Sequence, residues 1–287
     1  MNLKTVLIAA GLAACAPAAV AQTASQTAAQ TAAAAPSAAD WRVPNPDDVL
    51  VIDTNKGRII AELVPEVAPE AAGRIRTLAK RGFYDGRTFF RVIEGFMAQT
   101  GDPQDNGTGA SELPDIPGEF VFRRGADLPV VVADNQQVAE VGFVKSLPVT
   151  SQSMMLAPLT ADGKVQGWGL FCKGVVGMAR GQEPDSANSQ FFLMRDDYPR
   201  LDKRYTAFGR VLSGQEVVNA IKVGEPVPEP QDRMERVRVL SDIPPAERPQ
   251  IRVIDPAGPW FKAEVARVKA QGGLFKACDV NIPAEVK

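Results

Sequence analysis

Phe83-Tyr-Asp-Gly-Arg-Thr-Phe-Phe-Arg-Val-Ile-Glu-Gly-Phe-Met-Ala-Gln-Thr-Gly-Asp-Pro103 holds two short β-strand patterns with a turn between them. Thr88 to Val92 and Gly95 to Gln99 read as the strands, Ile93-Glu94 as the turn, and Gly101 to Gly109 as loop. Upstream, Val49-Leu-Val-Ile-Asp53, the turn Asn55-Lys-Gly57 and Arg58-Ile-Ile-Ala-Glu-Leu63 predict a β-hairpin. Pro65 and Pro69 then lead into a helix from Glu70 to Arg81, with Ala71, Ile75, Leu78 and Ala79 on one face and Gly82 as its stop. Downstream, Ser111 to Phe171 is less legible. Glu119 to Phe122, Pro129 to Ala133 and Val138 to Lys145 are strand-like there, and Asp162-Gly163 marks a hairpin. Val175 to Arg180, Ser189 to Met194 and Thr206 to Val211 follow as strands, then a short helix from Glu216 to Val223 and a last strand from Val237 to Leu240. Past Ile243-Pro-Pro245 comes an extension with a helix from Pro259 to Gln271. Many short strands and two core helices predict a mainly β fold built as a closed barrel, which removes exposed sheet edges.

Composition narrows the chemistry before any motif does. The 287 residues include no histidine. That excludes Ser-His-Asp and Cys-His nucleophile pairs and His-ligated metals, and it removes the side chain that ordinarily titrates near neutrality. Lys plus Arg is 32 against 34 Asp plus Glu, a net charge of -2 that leaves no footprint for nucleic acid or anionic lipid. The expected partner is a protein or a small molecule. Gly107-Thr-Gly109 lacks the ending of a phosphate loop. Asp47-Asp48 and Asp196-Asp197 are adjacent pairs whose side chains diverge in an extended chain, so neither suits a calcium cage or glycosidase chemistry.

The N-terminus reads as an export signal. Lys4 precedes an apolar run from Val6 to Ala14, too short to span a bilayer, and Ala19-Val20-Ala21 is a small-residue cleavage site. A competing reading takes Leu12-Ala13-Ala14-Cys15 as a lipobox, with Cys15 acylated; only then is membrane attachment expected. Either way the protein leaves the cytoplasm, to the periplasm or beyond. Residues 22–40, mostly Ala, Gln, Thr and Ser, read as a disordered tether because such side chains cannot offset the entropy of ordering them. Cys172 and Cys278 remain, and an even pair in an oxidising compartment predicts a disulfide.

The quoted stretch from Phe83 to Pro103 resembles the signature of the cyclophilins, the peptidyl-prolyl cis-trans isomerases. Gly177-Met-Ala-Arg180, Asn188-Ser-Gln-Phe-Phe-Leu193, Leu201-Asp202 and Phe208-Gly-Arg-Val211 are similar to the other half of that family's active face, in the same order. The resemblance runs from Val49 to Leu240. It implies an eight-stranded antiparallel barrel capped by two α-helices, with a groove for proline-containing polypeptides on its outer face. The expectation is a monomer with no cofactor and no metal. The organisation expected is a signal peptide over 1–21, the tether over 22–40, the barrel domain over 41–243 with an insertion over about 111–171, and a C-terminal extension over 244–287.

The chemistry fits a chain without histidine. An X-Pro bond turns over a barrier of about 18–20 kcal/mol because nitrogen lone-pair resonance keeps the amide planar. Lowering it takes an anchored proline and a donor near the prolyl nitrogen, with no nucleophile and no proton transfer. The resemblance implies that Arg91 is that donor, with Gln99 beside it. It implies that Phe96, Met97, Phe192, Leu201 and Tyr205 form the proline pocket. Gln99 and Gln190 would hold the peptide backbone, and Ala179 with Arg180 would offer main-chain groups to the residue before the proline. Taken singly, the apolar residues read as plain core, Arg91 as one half of a solvated salt bridge, and the glutamines as structural hydrogen-bonders.

Three positions depart from the family pattern. Phe90 stands where many members have His, Arg200 where Trp or Tyr is usual, and Tyr205 where His is frequent. The absent aromatic at 200 bears on cyclosporin affinity and on peptide preference. Ser111 to Phe171 is longer than in a minimal member, which suggests either a roof or docking element over the groove or a hairpin beside the barrel. The rival to an isomerase is a non-catalytic X-Pro-binding chaperone or scaffold on the same fold.

Overall fold

The computed structural model describes residues 35–287, so the leader, the Cys15 reading and the first part of the tether lie outside the described residues. Ala38–Asp40 already forms a 3-10 turn, ahead of the Trp41 boundary suggested by the sequence. The Asp40 carboxylate accepts from the Ser37 N–H and hydroxyl and from the Trp260 N–H in the extension, which fixes this segment.

In chain order the elements are β1 (Trp41–Arg42), β2 (Val49–Thr54), β3 (Gly57–Leu63), α1 (Pro69–Lys80), β4 (Arg91–Ile93), β5 (Met97–Thr100), β6 (Phe122–Arg124), β7 (Val131–Gln136), β8 (Ala139–Val144), β9 (Leu147–Gln152) and β10 (Val165–Gly169). They continue with β11 (Val175–Met178), β12 (Phe191–Met194), β13 (Ala207–Ser213), α2 (Gln215–Ala220), β14 (Met234–Val239), β15 (Ile251–Ile254), α3 (Pro259–Ala270) and β16 (Ala284–Val286). Eight strands form one antiparallel sheet in the order β14-β2-β3-β13-β11-β12-β5-β4. The sheet curls until its edges meet. Phe89 N–H donates to Asp232 O, Met234 N–H donates to Arg87 O, and Thr88 bridges Arg233. This is the eight-stranded barrel, and α1 and α2 are its two helices. Ala71, Ala72, Ile75, Leu78 and Ala79 of α1 and Val217 and Val218 of α2 pack on Leu50, Ile52, Ile59, Phe89, Phe191 and Phe208.

Two local differences from the sequence reading have physical causes. Strand β4 starts at Arg91 rather than Thr88, because Arg87 to Phe89 is engaged in closing the barrel. The turn accordingly moves to Glu94-Gly95-Phe96, where Gly95 takes φ +66°, a conformation costly for a side chain with Cβ.

The insertion is more than a hairpin. It is a five-stranded antiparallel sheet in the order β6-β10-β9-β8-β7. Strand β9 is invisible in the sequence because Pro148 argues against a strand; here its carbonyl still accepts from Leu170 N–H. Phe122, Val144, Leu147 and Val149 of the insertion pack in one cluster with Val175, Phe192, Met194 and Leu201 of the barrel. The arm leading into it passes along the barrel, where the Glu119 carboxylate accepts the N–H groups of Glu70 and Ala71 at 3.0 and 2.9 Å. Those are donors of the first turn of α1, which would otherwise lack partners.

The extension is built into the same body. Strand β15 lies between β1 and β16. Val253, Ile254, Phe261, Val265 and Phe275 pack with Val141 and Phe143 of the insertion, and the rings of Phe143 and Phe261 meet edge to face at 5.0 Å. A disulfide between Cys172 and Cys278 ties the extension to the segment ahead of β11.

Candidate active site

Strands β4, β5 and β12 lie side by side, and their register places the polar site residues in one row. Arg91 faces Gln99 across β4 and β5, and Gln99 faces Phe192 across β5 and β12. Arg91 Nη1 donates to Gln99 Oε1 at 3.2 Å, and Gln99 Nε2 donates to Gln190 Oε1 at 3.0 Å. Gln190 Nε2 in turn donates to Gly109 O at 2.9 Å and Gly107 O at 3.3 Å. The loop carrying those carbonyls is organised by Asp102, whose carboxylate accepts from the N–H groups of Gln104, Asn106 and Gly107. Burial pushes the Asp102 pKa up, but the main-chain donors around it outweigh that and leave it below the ordinary carboxylate value. The chain of amides fixes the guanidinium while leaving Arg91 Nη2 without a partner among the described residues.

Beside this row is an apolar cluster. Met97, Phe192 and Leu201 are buried and belong to one cluster with the partly exposed Phe96, Ala179 and Tyr205. The Phe192 ring meets Tyr205 edge to face at 6.1 Å and stacks on Phe171 at 5.8 Å. Gly177 makes this packing fit: a Cβ there would lie 2.6 Å from both the Phe171 and Phe192 rings. A polar cleft of about 250 Å³ adjoins, lined by Gln99, Gly109, Ala179, Arg180, Asn188 and Gln190 among others.

The structure refines the roles of two residues in that cleft. Ala179 N–H donates to Gln190 O, so of its main-chain groups only the carbonyl is left for a peptide. Arg180 is committed through its side chain: Nε and Nη2 donate to Arg204 O, Nη1 donates to Gly181 O and Gln182 O, and the guanidinium lies 4.6 Å from the Tyr205 ring centre. It therefore braces Tyr205. Sequence reasoning missed three neighbours. Glu225 pairs with Arg91, Tyr198 packs its ring against Phe96 at 4.4 Å, and Phe120 of the insertion's arm lies under Arg180 at 5.3 Å. Arg200 is exposed, and Tyr198, two residues earlier, supplies an aromatic at this edge of the pocket. No sequence pattern marks these three, because each reaches the groove by tertiary packing from an irregular segment.

Behind the pocket wall lies a mostly apolar cavity of about 330 Å³ between barrel, insertion and extension, lined in part by Phe171, Asp202, Phe275 and Cys278. Burial pushes the Asp202 carboxyl up from 3.8 to about 6, against the opposing hydrogen bond from Phe171 N–H. Because the folded chain holds this proton more tightly than the unfolded one, Asp202 favours folding below pH about 4, and that contribution is lost as pH rises to about 6. The stability difference between wild type and Asp202→Asn, measured by denaturant unfolding, is expected to change across that interval and be level above it. A difference constant from pH 4 to 7 would contradict the assignment. Cys172, Asp197 and Cys278 also converge here, but both sulfurs are in the disulfide and neither is a thiolate able to bind metal.

Comparison with known proteins matches the chain to a family. The family described as cyclophilin type peptidyl-prolyl cis-trans isomerase/CLD matches residues 49–241. The chain belongs to the cyclophilins. A probable peptidyl-prolyl cis-trans isomerase of Brucella suis is 35% identical over 199 residues, covering 66% of this chain and 76% of that relative. A peptidyl-prolyl cis-trans isomerase of Helicobacter pylori is 33% identical over 176 residues, 61% of this chain and 80% of that one. Among solved structures, cyclophilin AquaCyp293 from Hirschia baltica superposes with a TM-score of 0.79 at 36% identity, covering 86% of this chain and 93% of that one. The last match takes in more of this cyclophilin than residues 49–241 alone.

Proposed function

We propose that this cyclophilin isomerises X-Pro bonds in polypeptides outside the cytoplasm, with Arg91 as the donor to the prolyl nitrogen. The observation that carries the reading is the free Nη2 of Arg91, held by Gln99 at the rim of the pocket formed by Phe96, Met97, Phe192, Leu201 and Tyr205. A proline ring in the pocket brings its nitrogen to the guanidinium. A donor there draws the nitrogen lone pair out of resonance and favours the twisted amide over the planar one. The Tyr205 hydroxyl has no partner among the described residues and is available to the substrate backbone. The relatives' names support the same reaction. The disulfide supports an oxidising compartment, in keeping with the export signal read from residues 1–21.

The reaction moves no proton and calls on no histidine, the side chain that ordinarily titrates near neutrality. The rate kcat/KM on one proline peptide is therefore expected to be flat between about pH 5 and 8 at constant ionic strength. Asp202 titrates within that window, but it sits behind the pocket wall and should register in stability, not turnover. A tenfold step or a bell in the rate, with the fold intact, would show a titrating group in the mechanism. The second reading, a binder without turnover, is favoured by the missing aromatic at Arg200, and absence of peptide isomerisation with retained peptide binding would establish it.

A further inference from the structure

Arg91 is held from a second side. Its Nε donates to Glu225 Oε1 at 2.5 Å, from a residue 134 positions further along the chain in the loop after α2. That loop is stitched to β4 around the contact. Val92 N–H donates to Gly224 O at 2.8 Å, Gly224 N–H donates to Val92 O at 2.9 Å, and Val227 N–H donates to Phe90 O at 2.9 Å. Backbone bonds thus flank Glu225 on one chain and Arg91 on the other, so the carboxylate is delivered to Nε by the fold and not by a chance side-chain encounter. Both side chains are accessible, 56% for Glu225 and 36% for Arg91, and an exposed pair of this kind adds little to stability.

We infer that Glu225 is a positioning residue for the isomerase reaction, fixing the Arg91 guanidinium so that Nη2 faces the proline pocket; this rests on the isomerase reading above. With Nε tied to Glu225 and Nη1 tied to Gln99, rotation about the end of the long side chain is blocked at two points. Glu225 also places a negative charge beside the catalytic cation, which opposes catalysis. Orientation is the stronger effect here. Donation to a nitrogen lone pair is directional and loses rate steeply with misplacement, whereas the field of a solvent-exposed carboxylate is screened by water and salt.

The test compares Glu225→Ala and Glu225→Gln in the full chain, in wild-type and Arg91→Ala backgrounds. Glu225→Ala is expected to lower kcat about threefold to tenfold with KM nearly unchanged, and Glu225→Gln, which keeps an acceptor for Nε, to recover most of the loss. In the Arg91→Ala background Glu225→Ala should change nothing further. NMR of the Arg91 Nε–H group should show it ordered in wild type and Glu225→Gln, and loosened in Glu225→Ala. Faster turnover in both variants, an equal loss in the Arg91→Ala background, or an Arg91 Nε–H unchanged in Glu225→Ala would each overturn the inference. A wild-type protein without isomerase activity defeats the isomerase reading instead, and the NMR result then decides whether Glu225 positions Arg91.

Discussion

Replacing Arg91 by alanine is expected to lower kcat/KM on a proline peptide by about a hundredfold or more while leaving the fold intact, the usual loss for one transition-state donor. Arg91 is accessible, its ion pair with Glu225 is exposed, and no buried cluster depends on it, so the melting temperature should hardly move. Arg91→Lys should recover little. A lysine places one compact ammonium on a flexible stem, and its three N–H groups leave a single nitrogen, so they do not reproduce the planar spread by which Nε meets Glu225, Nη1 meets Gln99 and Nη2 is left for the groove. Peptide isomerisation measured beside a thermal melt checks both statements. A folded Arg91→Ala variant with wild-type activity would remove Arg91 from the mechanism.

The second large effect concerns stability. Cys172 and Cys278 are 106 residues apart in sequence, so their cross-link restricts a long loop of the unfolded chain. Replacing both with serine is expected to cost about 2–5 kcal/mol, measured by denaturant unfolding of non-reduced protein. The extension should then open more readily, although Val253, Phe261 and Val265 still pack on Val141 and Phe143, and proteolysis should begin in the extension before the barrel. In wild-type protein, thiol labelling after unfolding without reductant should find neither sulfur. A double variant as stable as wild type, or labelling of both cysteines, would contradict the role assigned to the bond.

The barrel was legible where local pattern and motif coincide. The hairpin from Val49 to Leu63 follows from alternation and a turn, and α1 from Pro69 and an apolar face; both occur within a residue or two of their predicted bounds. The candidate site residues from Phe83 to Pro103 and from Gly177 to Val211 stand out in the sequence through motif resemblance, and strand pairing brings them side by side, Arg91 opposite Gln99 and Gln99 opposite Phe192. The insertion was not legible. Its strands pair in an order, β6-β10-β9-β8-β7, that no short-range signal encodes, and Pro148 hides one of them. The short strands β1, β15 and β16 gain their stability from one another and from the insertion's apolar face, so their sequences carry little strand signal of their own. Glu225 and Phe120 escaped for the same reason. Each matters only through what the closed fold brings beside it.

Refolding of a client limited by proline isomerisation tests the central claim most directly, because that slow phase takes tens to hundreds of seconds unaided. Wild-type protein at a small fraction of the client's concentration should accelerate the phase in proportion to its own concentration, and Arg91→Ala at the same concentration should leave it almost unchanged. Acceleration that requires a full equivalent of protein, or none at any concentration, would contradict catalysis by this groove.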